Sequence, residues 1–177
     1  MARDFAKILT RIWSDQDWRT LTIHEQHLYM HLVTRSDLSY AGVADWRPKR
    51  ITPLATNANV HDIELAAATL QAKGYIVVDE DTEEVLVRSY HRNDEALKIA
   101  NMGKAVAKAY FDVASSKLMG VIVWELQRLH AEHPDWKGWA GAAEILEHPS
   151  HDPVVHRQEP LPGADAPAEA DPQEAPF

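Results

Sequence analysis

A chain of 177 residues holds one ordinary domain plus extras, and its 45% apolar residues suffice for a core. It has no cysteine, which excludes disulfides and thiolate zinc sites and fits a reducing compartment. The net charge of −9 argues against a nucleic-acid partner, but its distribution softens that: 151–177 hold one basic residue against six acidic and 51–100 four against nine, whereas 1–50 hold eight against six.

Residues 1–12 mix Arg3, Asp4, Lys7 and Arg11 with isolated apolar side chains and lack the continuous apolar core of a signal peptide. No run approaches the roughly 18 apolar residues needed to span a bilayer, so a soluble cytoplasmic protein is expected. Phe5, Ile8, Ile12 and Trp13 alternate loosely, predicting an extended arm or first strand over 5–13. Residues 15–19 read as a helical turn or loop. Thr22 followed by Glu25 makes a capping box. The helix it starts runs to about residue 36 and buries Leu28, Tyr29, Leu32 and Val33. A loop through Gly42 leads to a short strand around Val43 and Ala44. Arg47-Pro48 opens the next helix, which begins at Pro48 or Thr52 and ends near residue 56, with Pro53 kinking or delaying it.

Asn59 or Asp62 caps the following helix, whose apolar face carries Ile63, Ala66, Ala67 and Leu70 at three- and four-residue steps. Lys73-Gly74 stops it. Two short β-branched strands follow, 75–78 and 85–87, joined by the acidic turn 79–84. A helix running into a β-hairpin, with helices upstream, is the layout of a winged helix, chiefly a nucleic-acid-binding fold that is also reused for protein contacts.

Beyond the hairpin, 91–94 read as a polar turn. Residues 95–114 read as a helix bearing Lys98, Lys104 and Lys108 opposite Ile99, Met102, Val106, Ala109, Tyr110 and Val113. Ser115 and Ser116 break it. Over 117–132 a second helix places Leu118, Val121, Ile122, Glu125 and Leu129 in one stripe, four of the five apolar, until His133-Pro134 ends it. Residues 136–146 form a weak alanine-rich helical patch. From residue 148 onward Pro, Ala, Glu and Asp dominate, predicting a disordered acidic tail. The fold class expected is α+β, mainly α: a winged-helix domain with its arm over 1–92, a helical extension over 93–147, and the tail over 148–177. Trp13, Trp18 and Trp46 read as core or rim packing. Core packing is also favoured for most of Trp124, Trp136 and Trp139, although they lie where the extension could assemble copies or recruit replication proteins.

The segments MARDFAKILTRIWSDQDWRTLTIHEQHLYMHLVTRSDLSYAGV and YIVVDEDTEEVLVRSYHRND resemble a group of helix-turn-helix proteins of actinobacterial phages. They share the opening arm, the LT-x-x-x-Q-x-LY-x-x-L helix, the DLSYAGV-like loop and a VVD-x-DTEE-x-LVR-x-x-x-R-x-D hairpin. The likeness covers residues 1–130. Such proteins are similar to the winged-helix N-terminal modules of phage replisome organisers and DnaD-like replication initiators. The resemblance implies binding to double-stranded phage DNA in the cytoplasm of a bacterial host, in replication initiation or organisation. Transcriptional regulation of phage genes is the alternative, and a winged-helix protein-interaction module that leaves DNA alone is the third reading.

The outer face of the predicted recognition helix would be His61, Glu64, Leu65, Ala68, Gln71 and Ala72, with no Arg or Lys, and the hairpin tip is acidic. Base reading then falls to Gln71, or to His61 and Asn59 at the helix start, since amides pair well with adenine. Phosphate-binding charge must come from Arg47, Lys49 and Arg50, from Arg88 and Arg92 at the hairpin base, from the arm (Arg3, Lys7, Arg11), and from Lys98, Lys104 and Lys108. Three cations in four residues beside a helix start make Arg47, Lys49 and Arg50 the strongest cluster.

Other chemistry is set aside. His24, His27 and His31 share a helical face, which reads as solvated rather than metal-binding. Asp79, Asp81, Glu83 and Glu84, compressed into a turn, read as solubilising it and protecting a strand edge rather than binding a catalytic metal. No phosphate-binding glycine loop, dinucleotide fingerprint or nucleophile elbow is present, so neither an enzyme nor a cofactor is expected.

Overall fold

In the computed structural model, which describes residues 4–153, residues 4–9 are irregular and Thr10–Ser14 form a 3-10 turn, so the strand predicted within 5–13 does not form. The segment has no strand partner, and Ile12 instead packs partly against the core while Phe5 stays exposed. Asp15 caps a single turn, Gln16–Arg19 (α1), by accepting from the Trp18 N–H at 2.9 Å. The predicted capping box is present: the Glu25 N–H donates to the Thr22 hydroxyl and the Thr22 N–H to the Glu25 carboxylate. It launches Ile23–Thr34 (α2), which buries Leu28, Tyr29 and Leu32.

The strand Val43–Asp45 (β1) leads to Pro48–Ile51 (α3), where proline in the first turn costs no hydrogen bond, and a 3-10 turn at Thr52–Leu54 ends this element. Asn59 then caps Val60–Ala72 (α4), and Gly74, at φ +77°, lets the chain leave that helix in a left-handed turn. Ile76–Asp79 (β2) and Glu84–Val87 (β3) follow as a hairpin, and β1 joins on the far side of β3 in an antiparallel sheet of order β1-β3-β2.

The register decides which side chains share a face. Ala44, Val85 and Val78 lie opposite one another, with Ile76 opposite Val87 two residues along. This face packs on α1, α2 and α4 through Trp18, Leu28, Leu32, Ala67 and Leu70. Val43, Leu86 and Val77 form the other face. They join a second core with Leu97, Val106, Leu118, Ile122 and Leu126 from the C-terminal part of the chain. Both faces of this small sheet are therefore covered. Its strands read as apolar runs rather than as an apolar–polar alternation for that reason.

The C-terminal elements depart from the sequence reading. Residues 91–94, expected as a polar turn, belong to a short helix, Tyr90–Asp94 (α5), whose Tyr90 and His91 are buried. The helix expected over 95–114 is shorter. Glu95 is left-handed at φ +60°, Ala96–Lys98 form a 3-10 turn, and the helix proper is Met102–Phe111 (α6). The break has a physical reason: Leu97 is buried, and its carbonyl accepts from the Gly138 N–H at 2.9 Å, so the chain must turn there. Ser115 caps Ser116–Glu132 (α7), and Trp139–Ala142 (α8) runs into a 3-10 turn, Ala143–Glu147. The tail predicted from residue 148 overlaps the described residues only at 148–153. His151 donates its N–H to the Gly120 carbonyl at 2.9 Å, tying residues before 154 to α7, and residues 154–177 lie outside the described ones. Among the described residues no helix is long and apolar enough to cross a membrane.

Buried His91 gives this fold a pH dependence. At 4% exposure neither ring nitrogen makes a hydrogen bond of ordinary geometry, and burial pushes the imidazole down to about 4, offset in part by the Ala41 carbonyl. The unfolded chain takes up this proton near pH 6.5 and the folded chain only near 4. Stability is therefore full above about pH 6.5 and falls as pH drops toward 4, by on the order of 2–3 kcal/mol. Urea unfolding of the wild type between pH 4.5 and 6.5 should show this slope, and His91→Leu should flatten it.

Candidate nucleic-acid interface

Three elements frame the face on which the sequence placed recognition: α3, the turn after it, and α4 packed against α3. The exposed side of α4 is His61, Glu64, Leu65, Ala68, Gln71 and Ala72, the set read from the sequence. Its opposite side, Ile63, Ala66, Ala67 and Leu70, is buried against α2 and the sheet. What this outer face of α4 can do chemically is set by which of its side chains are free.

The ten candidate residues separate on that test. Lys49 and Arg50 are exposed on α3 and make no ion pair among the described residues. Arg47 precedes them but is shared between Glu83 at 3.3 Å and Asp45 at 3.6 Å, with its side chain 41% exposed. Part of its charge is thus answered by the hairpin. His61 is exposed in the first turn of α4. Asn59 is occupied as a cap, its carbonyl oxygen accepting from the Asp62 N–H at 2.9 Å and its amide donating to the Asp62 carboxylate at 2.6 Å. Gln71 is occupied too: its side-chain oxygen accepts from the Val78 N–H at 2.8 Å, fixing the amide beside β2. Neither amide is free to present the donor–acceptor pair that adenine needs.

Of the remaining cations, Arg88, Arg92 and Lys98 face inward or toward acids. Arg88, expected as a DNA contact, is engaged within the fold. Its Nε lies 2.8 Å and its Nη2 2.7 Å from Glu125 of α7, its Nη1 donates to the Gly74 carbonyl at 3.0 Å, and its guanidinium covers the Trp124 ring at 5.5 Å. Arg92 is held by Glu132, whose carboxyl this hydrogen bond keeps below the usual range. Lys98 pairs with Glu95 at 2.7 Å and lies 5.3 Å over the Trp136 ring. Glu95 also binds Lys7, and the two ammonium groups, Lys7 foremost, hold its carboxyl down at about 2. Lys104 is exposed on α6 and makes no ion pair among the described residues.

The hairpin's carboxylates divide as well. Glu80, Asp81 and Glu83 stay exposed at the tip. Glu84 instead accepts from the Ala114 N–H at 3.1 Å and the Ser115 N–H at 2.7 Å, and Asp79 accepts from the Ser115 hydroxyl, which lowers the Asp79 carboxyl. Lys117 adds a bond to the Val78 carbonyl at 2.9 Å. Two of the four carboxylates read as solubilising the turn are therefore spent satisfying backbone and hydroxyl donors at the start of α7. Among the described residues no group of three or more His, Asp or Glu is placed to hold a metal ion.

Sequence reasoning missed Glu125, Trp124 and Ser115 as fixing partners. One signal was present. Glu125 is the single charged residue in the stripe of α7 that carries Leu118, Val121, Ile122 and Leu129, and a carboxylate there requires a buried cation. No protein-family model, curated protein or solved structure matches this chain.

Proposed function

We propose that residues 16–87 are a winged helix that binds double-stranded DNA, with α4 as its recognition helix, the β2–β3 hairpin as its wing, and α3 as its phosphate contact. The observation that carries this reading is the element order α2–β1–α3–α4–β2–β3 with strand order β1-β3-β2, which leaves the α4 face bare beside the unpaired cations of α3. Lys49 and Arg50 supply the phosphate contacts; Arg88, Arg92, Lys98 and the two amides do not take part. The likeness to actinobacteriophage helix-turn-helix proteins supports a role on phage DNA, in initiating or organising replication ahead of regulating transcription.

The acidic tip of Glu80, Asp81 and Glu83 favours a second reading, a winged helix whose outer face meets a protein. Duplex phosphates would be repelled from that tip, and α4 has no cation to compensate. A gel shift on phage genomic fragments at two salt concentrations separates the two readings. On the DNA reading, Lys49→Ala with Arg50→Ala weakens binding and reduces the slope of log affinity against log salt by about 2. An unchanged slope removes α3 from the interface, and an absence of salt-dependent binding by the wild type leaves the protein-contact reading.

A further inference from the structure

This inference rests on the DNA reading above and concerns what the α4 face would read. A helix in the major groove discriminates bases through the few side chains on its outer face. Here the free ones are His61, Glu64, Leu65 and Ala68, spaced so that all four share that face, because Gln71 is fixed to the Val78 N–H. No Arg or Lys is among them, so the bidentate cation contact to guanine has no donor. Leu65 is 61% exposed, so its side chain is open to a partner surface. Ala68, one turn along, is small enough for close approach. In the major groove the apolar feature such a pair meets is the thymine 5-methyl group. Glu64 beside them is an acceptor only. It opposes the acceptors of guanine and of thymine O4 and matches the exocyclic amines of cytosine and adenine. The flanking cations of α3 are complementary to the phosphates that would bring the face into register.

We propose that α4 selects sites containing thymine, with Leu65 and Ala68 packing on thymine methyls and Glu64 accepting from a neighbouring adenine or cytosine amine. The residue that sets specificity is Leu65.

The test uses the full chain and three 20-base-pair duplexes in fluorescence anisotropy: alternating d(TC)·d(GA), the same duplex with uracil replacing thymine, and alternating d(GC)·d(GC). The thymine duplex should bind best, with about fourfold lost for each contacted methyl when uracil replaces it. Leu65→Ala should narrow the gap between the thymine and uracil duplexes, whereas a change in duplex shape caused by uracil would persist undiminished in that variant. Because Leu65 is exposed, the substitution leaves the fold intact, which thermal unfolding checks. Equal, salt-dependent binding to all three duplexes by the wild type overturns the inference and leaves the DNA reading standing. A thymine preference undiminished in Leu65→Ala also overturns it. No salt-dependent binding to any duplex overturns the DNA reading itself.

Discussion

Arg88→Ala is expected to lower folding stability by about 3–5 kcal/mol while leaving the DNA affinity of the folded molecules unchanged. The guanidinium is 14% exposed and the Glu125 carboxylate 12%, so the pair lies where water answers neither charge well. Removing Arg88 strands Glu125 on α7, frees the Gly74 carbonyl and uncovers one side of Trp124, whose ring Arg128 also approaches at 4.5 Å. Losing one partner of a buried pair costs more than losing both. Arg88→Met combined with Glu125→Leu should therefore recover much of the stability. Urea unfolding of the three variants measures the cycle, and a loss under 1 kcal/mol for Arg88→Ala would mean that solvent, not Glu125, satisfies this arginine. A binding titration at matched folded concentration completes the test. Were Arg88 a phosphate contact, the salt slope would fall as is expected for Lys49 and Arg50; with its guanidinium held by Glu125, no change is expected.

The same residue shows what sequence could and could not reveal. Local signals were legible because they are local. Thr22 with Glu25, Asn59 before α4, Lys73-Gly74 after it, and the β-branched pair of strands each act within about six residues of chain. The bare face of α4 was legible for a related reason: helical periodicity separates the buried Ile63, Ala66, Ala67 and Leu70 from the rest. Arg88, Arg92 and Lys98 were read as surface cations because an isolated cation in a sequence carries no mark of its partner. Their partners Glu125 and Glu132 are 37 and 40 residues away for the two arginines. Gln71 misled in the same way, since its partner is the backbone of Val78 and backbone donors have no sequence signature. The covered second face of the sheet did leave a trace. Ile76, Val77 and Val78, and Val85, Leu86 and Val87, are apolar at consecutive positions, which a sheet with one wet face does not need.

Gly103→Ala should be the most damaging single methyl in the protein, lowering stability by about 3 kcal/mol or more. A Cβ built on Gly103 would lie 1.9 Å from the Gly138 carbonyl oxygen and 3.2 Å from the Gly141 Cα. These are backbone atoms, so no rotamer change can relieve the overlap, and α6 would have to move off α8. The facing glycines are tight as well: a Cβ on Gly138 would meet the Leu97 carbonyl oxygen at 2.5 Å, and one on Gly141 the Lys104 nitrogen at 2.8 Å. Glycine here is required for close approach, not for a left-handed turn, because Gly74 and Gly42 are the glycines with positive φ. Alanine is the better helix former, so an isolated α6 would gain from the substitution, and a loss must come from the α6–α8 contact. That contact positions Leu97, Val106 and Trp139 in the core shared with Val43 and Leu86 of the sheet. Damage there should therefore loosen the sheet's second face while α2 and α4 keep their own packing. Hydrogen exchange locates the effect: protection should fall first across α6, α8 and the residue 96–98 turn. Uniform loss across α4 as well would show that the two cores unfold as one unit, and stability within 1 kcal/mol of the wild type would show that α6 and α8 are not packed backbone to backbone.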